Sequence, residues 1–212
     1  MRLYLASTSP ARLQTLRAAG IEPVAVAPGV DEEAVVAARE AASGPLAPAD
    51  LVQLLARAKA EAIVGAEPGG EPIDGLILGG DSAFLTGGEL HGKPHRPDVA
   101  RERWLAQNGG HGELWSGHWL IDHRGGSARG AAGRADVATV RFAALDDAEI
   151  DAYIATGEPL LVAGAFTIDS LGGPFIRRVE GDPSTVVGLS LSTVRDLVRE
   201  LGIDWPSLWN RR

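Results

Sequence analysis

The chain has 212 residues, 45% of them hydrophobic and 23% charged, with a formal net charge of −8 and no cysteine. That composition is globular and long enough to bury a core, which excludes a disordered chain, a disulfide scaffold and a thiolate metal site. The acidic balance argues against a nucleic-acid polymer as partner, because such a ligand wants a basic surface, yet it leaves room for a pocket holding a single nucleotide.

Leu3 to Ala6 reads as a short buried strand. Ser7, Thr8, Ser9 and Pro10 then turn the chain into a helix over Ala11–Ala19, closed by Gly20. Free amides at a helix N-terminus attract anions, the hydroxyls add donors, and Arg12 adds a planar fork that matches phosphate oxygens. Plain helix capping accounts for the same residues without a ligand. Glu22–Pro28 reads as a second strand, followed by the acidic group Asp31, Glu32 and Glu33, which suits either a hard cation or the start of a solvated helix. Pro48–Ala66 carries a helical stripe of Leu51, Leu54, Leu55 and Ala58.

Leu76–Gly80 is a fully apolar strand, with Asp81 and Ser82 placed at its end. A carboxylate at the carboxyl end of a central strand lies where α/β proteins usually bind ligands. His91–Pro97 reads as a loop opening a helix over Asp98–Gln107. Gly92 and Pro94 break any helical spacing between His91 and His95, so they form no metal pair, and all five histidines are expected in surface or supporting roles. Glu113–Asp122 and Ala135–Phe142 read as strands joined by an Arg-Gly-rich turn. A helix follows between Asp146 and Gly157, then a glycine-broken strand pair over 163–182, a last helix from Pro183, and a tail with Trp205 and Trp209.

The order of elements predicts an α/β fold over 1–212 as a single domain: a mixed central sheet flanked by helices, with two lobes around a cleft. No segment approaches the ~20 apolar residues of a membrane span, and no basic-then-apolar leader opens the chain, so no membrane partner and a cytoplasmic location are expected. Phosphate-loop and dinucleotide fingerprints are missing, as is a nucleophile elbow. Of the 20 basic residues only Lys59 and Lys93 are lysine. Two lysines kept in an arginine-rich chain point to places that need a compact ammonium, although codon bias gives the same count.

In order along the chain, LASTSPARLQTLRAAGI, GVDEE, RAKAEA, LILGGDSAF, GKP, SGHWLID, LDDAEIDAYIATGEPLLVAGAFTIDSLGGPFI and EGDPSTVVGLSLSTVRDLV resemble the Maf (septum-formation-inhibitor-like) family. The resemblance covers nearly the whole chain. It implies a nucleoside triphosphate pyrophosphatase, often dimeric, that uses Mg²⁺ or Mn²⁺ to release a monophosphate and pyrophosphate. Asp81 matches the family's acceptor of the attacking water's proton, and Glu32 a second acidic position that serves as metal ligand or second base, Asp81 and Glu32 being the implied metal ligands. Ser7, Ser9 and Arg12 match the phosphate-holding motif, and Lys59 and Lys93 the two family lysines. Ala11, Ser82 and Asp169 match the positions where subgroups differ in base preference, and this chain fits neither subgroup pattern. An ionised Asp169 only accepts hydrogen bonds, which suits the two adjacent donors of guanine better than uracil or thymine. The alternative implied by the family's name is a regulatory binding protein of septation with a vestigial nucleotide site.

Overall fold

The structure, a computed structural model, describes residues 1–211. In chain order the elements are β1 (Leu3–Ala6), α1 (Pro10–Ala18), β2 (Val24–Val26), α2 (Glu32–Ser43), α3 (Pro48–Ala62), β3 (Gly75–Thr86), β4 (Glu89–His91) and α4 (Pro97–Gln107). The second half adds β5 (His111–His123), β6 (Gly130–Phe142), α5 (Asp147–Ala155), β7 (Ile176–Glu180), α6 (Pro183–Val187) and α7 (Leu191–Glu200). Among the described residues seven strands form one mixed sheet in the order β2-β1-β3-β5-β6-β7, with β4 paired to β3 off this path. The expected mixed sheet flanked by helices is therefore present. No helix of the described residues is long and apolar enough to cross a membrane.

Three strands, β3, β5 and β6, run the length of the sheet and join its two halves. On one face, Leu76 and Leu78 pack with Leu16 of α1 and Val194 and Leu197 of α7, while Phe84, farther along β3, packs with Trp104 of α4 and Tyr153 of α5. Two apolar cores thus share this face, one in each half. The opposite face is covered in the first half by α3, where Ala60 and Ile63 meet Ile77 and Tyr4.

Glycine sets how closely α3 approaches. A Cβ on Gly79 would collide with the Ala56 carbonyl, and one on Gly117 with the Val52 carbonyl, so the α3 backbone lies directly on β3 and β5. The strand beginning at Leu76 was expected to end at Gly80. Instead β3 continues through Asp81 to Thr86: Gly79 makes room for the α3 backbone on one face and Gly80 for the Arg12 side chain on the other.

One open reading is decided and two further expectations are corrected. Of the two readings of the acidic group after β2, the solvated helix start is the one that forms: α2 has 12 residues, Asp31 caps its N-terminus and none of its residues is buried. The segment 163–175 is not a strand but a run of short 3-10 turns leading into the single strand β7. The last helix is two, α6 and α7, divided at Gly188, whose φ of 105° ends α6.

Candidate active site

Strand pairing leaves a gap in the sheet beside Asp81. β1 pairs with β3 in parallel as far as Ala6–Gly79, and β4 pairs with the same edge of β3 only from Phe84–His91 onward. Along Gly80–Ala83 that edge has no strand partner among the described residues. The chain leaves β1 there and enters α1, so the α1 N-terminus stands on one side of the gap. This is the kind of switch in strand direction at which α/β folds bind ligands. β4 approaches from the other side; its register, continued past His91, would set Lys93 beside Ser82.

Side chains reach the gap from both faces of β3. On the α1 face Arg12 is only 9% exposed. Its Nε donates to the Gly188 carbonyl at 2.8 Å, Nη2 to Ser82 Oγ at 2.9 Å and Nη1 to Ser7 Oγ at 3.3 Å. All three acceptors are neutral. A guanidinium carries five N–H groups, so two remain without a partner among the described residues. Ser9 caps α1, its Oγ accepting from Arg12 N at 3.4 Å, and its own N–H donates to Ser7 Oγ at 3.1 Å. Burial pushes the Arg12 guanidinium below its ordinary range, with the nearby charges of Asp81 and Glu32 opposing that shift.

On the α3 face Lys59 and Asp81 are 7% and 8% exposed. Lys59 Nζ lies 2.6 Å from Asp81 Oδ1 and 2.7 Å from Glu32 Oε1, while the Glu32 side chain is 49% exposed at the start of α2. Desolvation raises Asp81 above the ordinary carboxylate range, and Lys59, then Arg12, work against it. Asp81 Oδ2 makes no hydrogen bond among the described residues and is not sealed from solvent.

Behind Arg12 lies a polar cluster that the sequence did not announce. Ser82 Oγ is 3.0 Å from Ser116 Oγ, and Ser116 donates to the Thr185 carbonyl at 3.1 Å. Ser190 N donates to His118 Nε2 at 2.9 Å, which assigns the ring proton to Nδ1, facing the Arg134 carbonyl at 3.1 Å. Asp182 then ties the α6–α7 turn together, accepting from Ser184, Ser190 and Ser192. His118 and His123 are buried, and His118 takes the supporting rather than the surface role of the two expected for the histidines. The signals were present in SGH and GLS but indistinct, because a histidine between strand residues reads equally well as exposed.

Ser7, Ser9, Arg12, Ser82, Asp81, Lys59 and Glu32 are thus gathered around one stretch of β3. Ala11 is partly buried in the first turn of α1. Lys93 and Asp169 are exposed and make no side-chain ion pair or hydrogen bond among the described residues, so the structure does not bring them into the cluster. A separate surface concavity lies elsewhere: Met1, Arg2, Glu71 and Arg124 line it at the start of β3, and their charges are paired off or exposed.

No three His, Cys, Asp or Glu residues among those described form a metal-binding group. The donors present still fit a hard divalent ion, because Mg²⁺ is commonly held by one or two carboxylates with the remaining oxygens coming from phosphates and water. Asp81 and Glu32 already share one cation, the Lys59 ammonium. Arg12 and Lys59 balance the two carboxylates, so a bound triphosphate would need further positive charge.

An open-edged mixed sheet with a buried, neutrally anchored arginine and a shared lysine–carboxylate cluster defines an α/β protein with a charged site at a gap in its sheet. The Maf-like protein family matches residues 2–201, and the chain belongs to the Maf family. It is 74% identical over 211 residues to a protein of Leifsonia xyli subsp. xyli named nucleoside triphosphate pyrophosphatase, covering 100% of this chain and 98% of that one. Proteins of the same name from Nocardia farcinica and Rhodococcus jostii are 49% and 47% identical, covering 98% and 97% of this chain and 96% and 94% of theirs.

Proposed function

We propose that the chain is a nucleoside triphosphate pyrophosphatase acting in the cytoplasm. The observation that carries this reading is Arg12, a buried guanidinium fixed by neutral acceptors at the α1 N-terminus, across β3 from a carboxylate with a free oxygen. An arginine neutralised by a carboxylate has little left for a phosphate, whereas this one is oriented and still charged. The names carried by the relatives agree.

In this reading Arg12, Ser7, Ser9 and the α1 N-terminus hold the phosphates, with Lys93 closing from the β4 side. Asp81 Oδ2 accepts a proton from a water that attacks the α-phosphorus. A new P–O bond forms to that water, the bond to the bridging oxygen breaks, and pyrophosphate leaves with its charge facing Arg12 and Lys59. Asp81 and Glu32 would hold Mg²⁺ or Mn²⁺ together with phosphate oxygens, and the ion would supply charge stabilisation for the leaving group. Ala11, Ser82 and Asp169 face the base, and Asp169 favours guanine.

The test is turnover of GTP, 7-methyl-GTP, UTP and dTTP with a divalent metal, by the wild type and by Asp169→Gln. Release of pyrophosphate with a preference for the guanine nucleotides, reduced in Asp169→Gln, is expected. Nucleotide binding without turnover would instead favour the regulatory reading, and a wild-type preference for UTP or dTTP would remove the role of Asp169.

A further inference from the structure

Glu158 follows Gly157, whose φ of 76° ends α5. A carboxylate at the C-terminal end of a helix opposes the helix dipole, so this position needs compensation. Five donors provide it. Oε1 accepts from Thr167 Oγ1 at 2.5 Å, Tyr153 Oη at 2.9 Å and Gly172 N at 3.2 Å. Oε2 accepts from Ser170 Oγ at 2.7 Å and Leu171 N at 3.3 Å. Desolvation alone would raise this carboxylate, but the hydrogen bonds from Thr167, Ser170 and Tyr153 outweigh it and hold its pKa near about 2.

Four of the five donors lie in the segment 167–172, the same turn that carries the unpaired Asp169. The turn is drawn so tight that a Cβ on Gly172 would stand 2.6 Å from both the Thr167 carbonyl and Tyr153 Oη. It also starts beside the site. Phe84 shares a face of β3 with Ser82, two residues away, and Gly164 and Phe166 pack on it, the Phe84 and Phe166 rings 5.3 Å apart. The adjoining Leu160 carbonyl accepts from His95 N at 3.0 Å, tying this segment to the Lys93 loop.

We infer that Glu158 is a positioning residue for nucleobase discrimination: its carboxylate holds the turn 167–172 in the one conformation that presents Asp169 to the base. The inference rests on the pyrophosphatase reading. It assigns Glu158 no contact with the substrate and no part in the bond-breaking step.

The experiment compares kcat and KM for GTP and UTP in the wild type, Glu158→Ala, Glu158→Gln and Ser170→Ala, with thermal unfolding of each. Glu158→Ala is expected to raise KM for the preferred nucleotide by about 10-fold, a modest share of what misplacement costs, and to draw the two kcat/KM values together while kcat is retained. Glu158→Gln keeps acceptors for part of the turn and should fall between, as should Ser170→Ala; these two carry the test if Glu158→Ala does not fold. An unchanged GTP/UTP ratio in folded variants, equal losses in kcat for both nucleotides, or a wild type that treats the two alike would overturn the inference. A wild type that hydrolyses neither would instead overturn the pyrophosphatase reading.

Discussion

Arg12 and Asp81 face each other across one strand, and each is held in place by a different device. Arg12 is held by a carbonyl and two hydroxyls, Asp81 by the Lys59 ammonium. Replacing Asp81 by Asn preserves the shape and removes the proton acceptor, so hydrolysis should fall at least ~100-fold, the effect of losing a general base, with circular dichroism unchanged. The supporting cluster makes a prediction about stability. Burial lowers the His118 pKa from 6.5 to about 4, with the Arg12 charge acting in the same direction, and the neutral ring accepts from Ser190 N–H. The unfolded chain therefore takes up a proton that the native state refuses, and stability declines as pH falls from 6.5 to about 4 and gains nothing from this group above that range. His118→Gln can keep both hydrogen bonds without titrating, and urea unfolding across that range should show a flatter pH dependence than the wild type. The residues that touch the gap were legible in the sequence because their chemistry is unusual for their places: Arg12 inside a helix start, Asp81 at the end of an apolar strand, Lys59 in an arginine-rich chain. Ser116, His118 and the Gly188 carbonyl were not, since nothing local shows that a serine or a peptide group faces a buried guanidinium.

Elements deliver these side chains by close approach of backbones. Lys59 reaches Asp81 because α3 lies flat on β3 and β5, and that contact needs hydrogen at Gly79 and Gly117. Gly79→Ala should lower stability by ~1–3 kcal/mol or more, as overpacking does, and should also weaken turnover under conditions where the variant remains folded, by lifting Lys59 from Asp81. Chemical denaturation alongside steady-state rates checks this; a variant that loses stability but turns over normally when folded would separate the glycine from the site. The elements misread from sequence share a physical cause. Gly79-Gly80 and Asp81-Ser82 look like a strand end by local rules, but the glycines serve packing and the carboxylate is offset by an ion pair. In 163–175 the apolar residues were read as strands, whereas Gly164, with a φ of 75°, folds the chain tightly against Phe84.

At the scale of the whole molecule, the long strands β3, β5 and β6 carry a separate apolar core at each end, and the polar cluster around Arg12 lies between the two cores on one face. The mixed sheet was legible from the order of strands and helices; the gap in it was not, because it depends on β1 ending and β4 beginning along one edge of β3. The central claim is that a water activated by Asp81 attacks the α-phosphorus. It is tested most directly by hydrolysing a nucleoside triphosphate in water enriched in the heavy oxygen isotope and locating the label by mass spectrometry. The account predicts one labelled oxygen in the nucleoside monophosphate and none in the pyrophosphate formed with it. Label in the pyrophosphate, or products that are nucleoside diphosphate and orthophosphate, would contradict it.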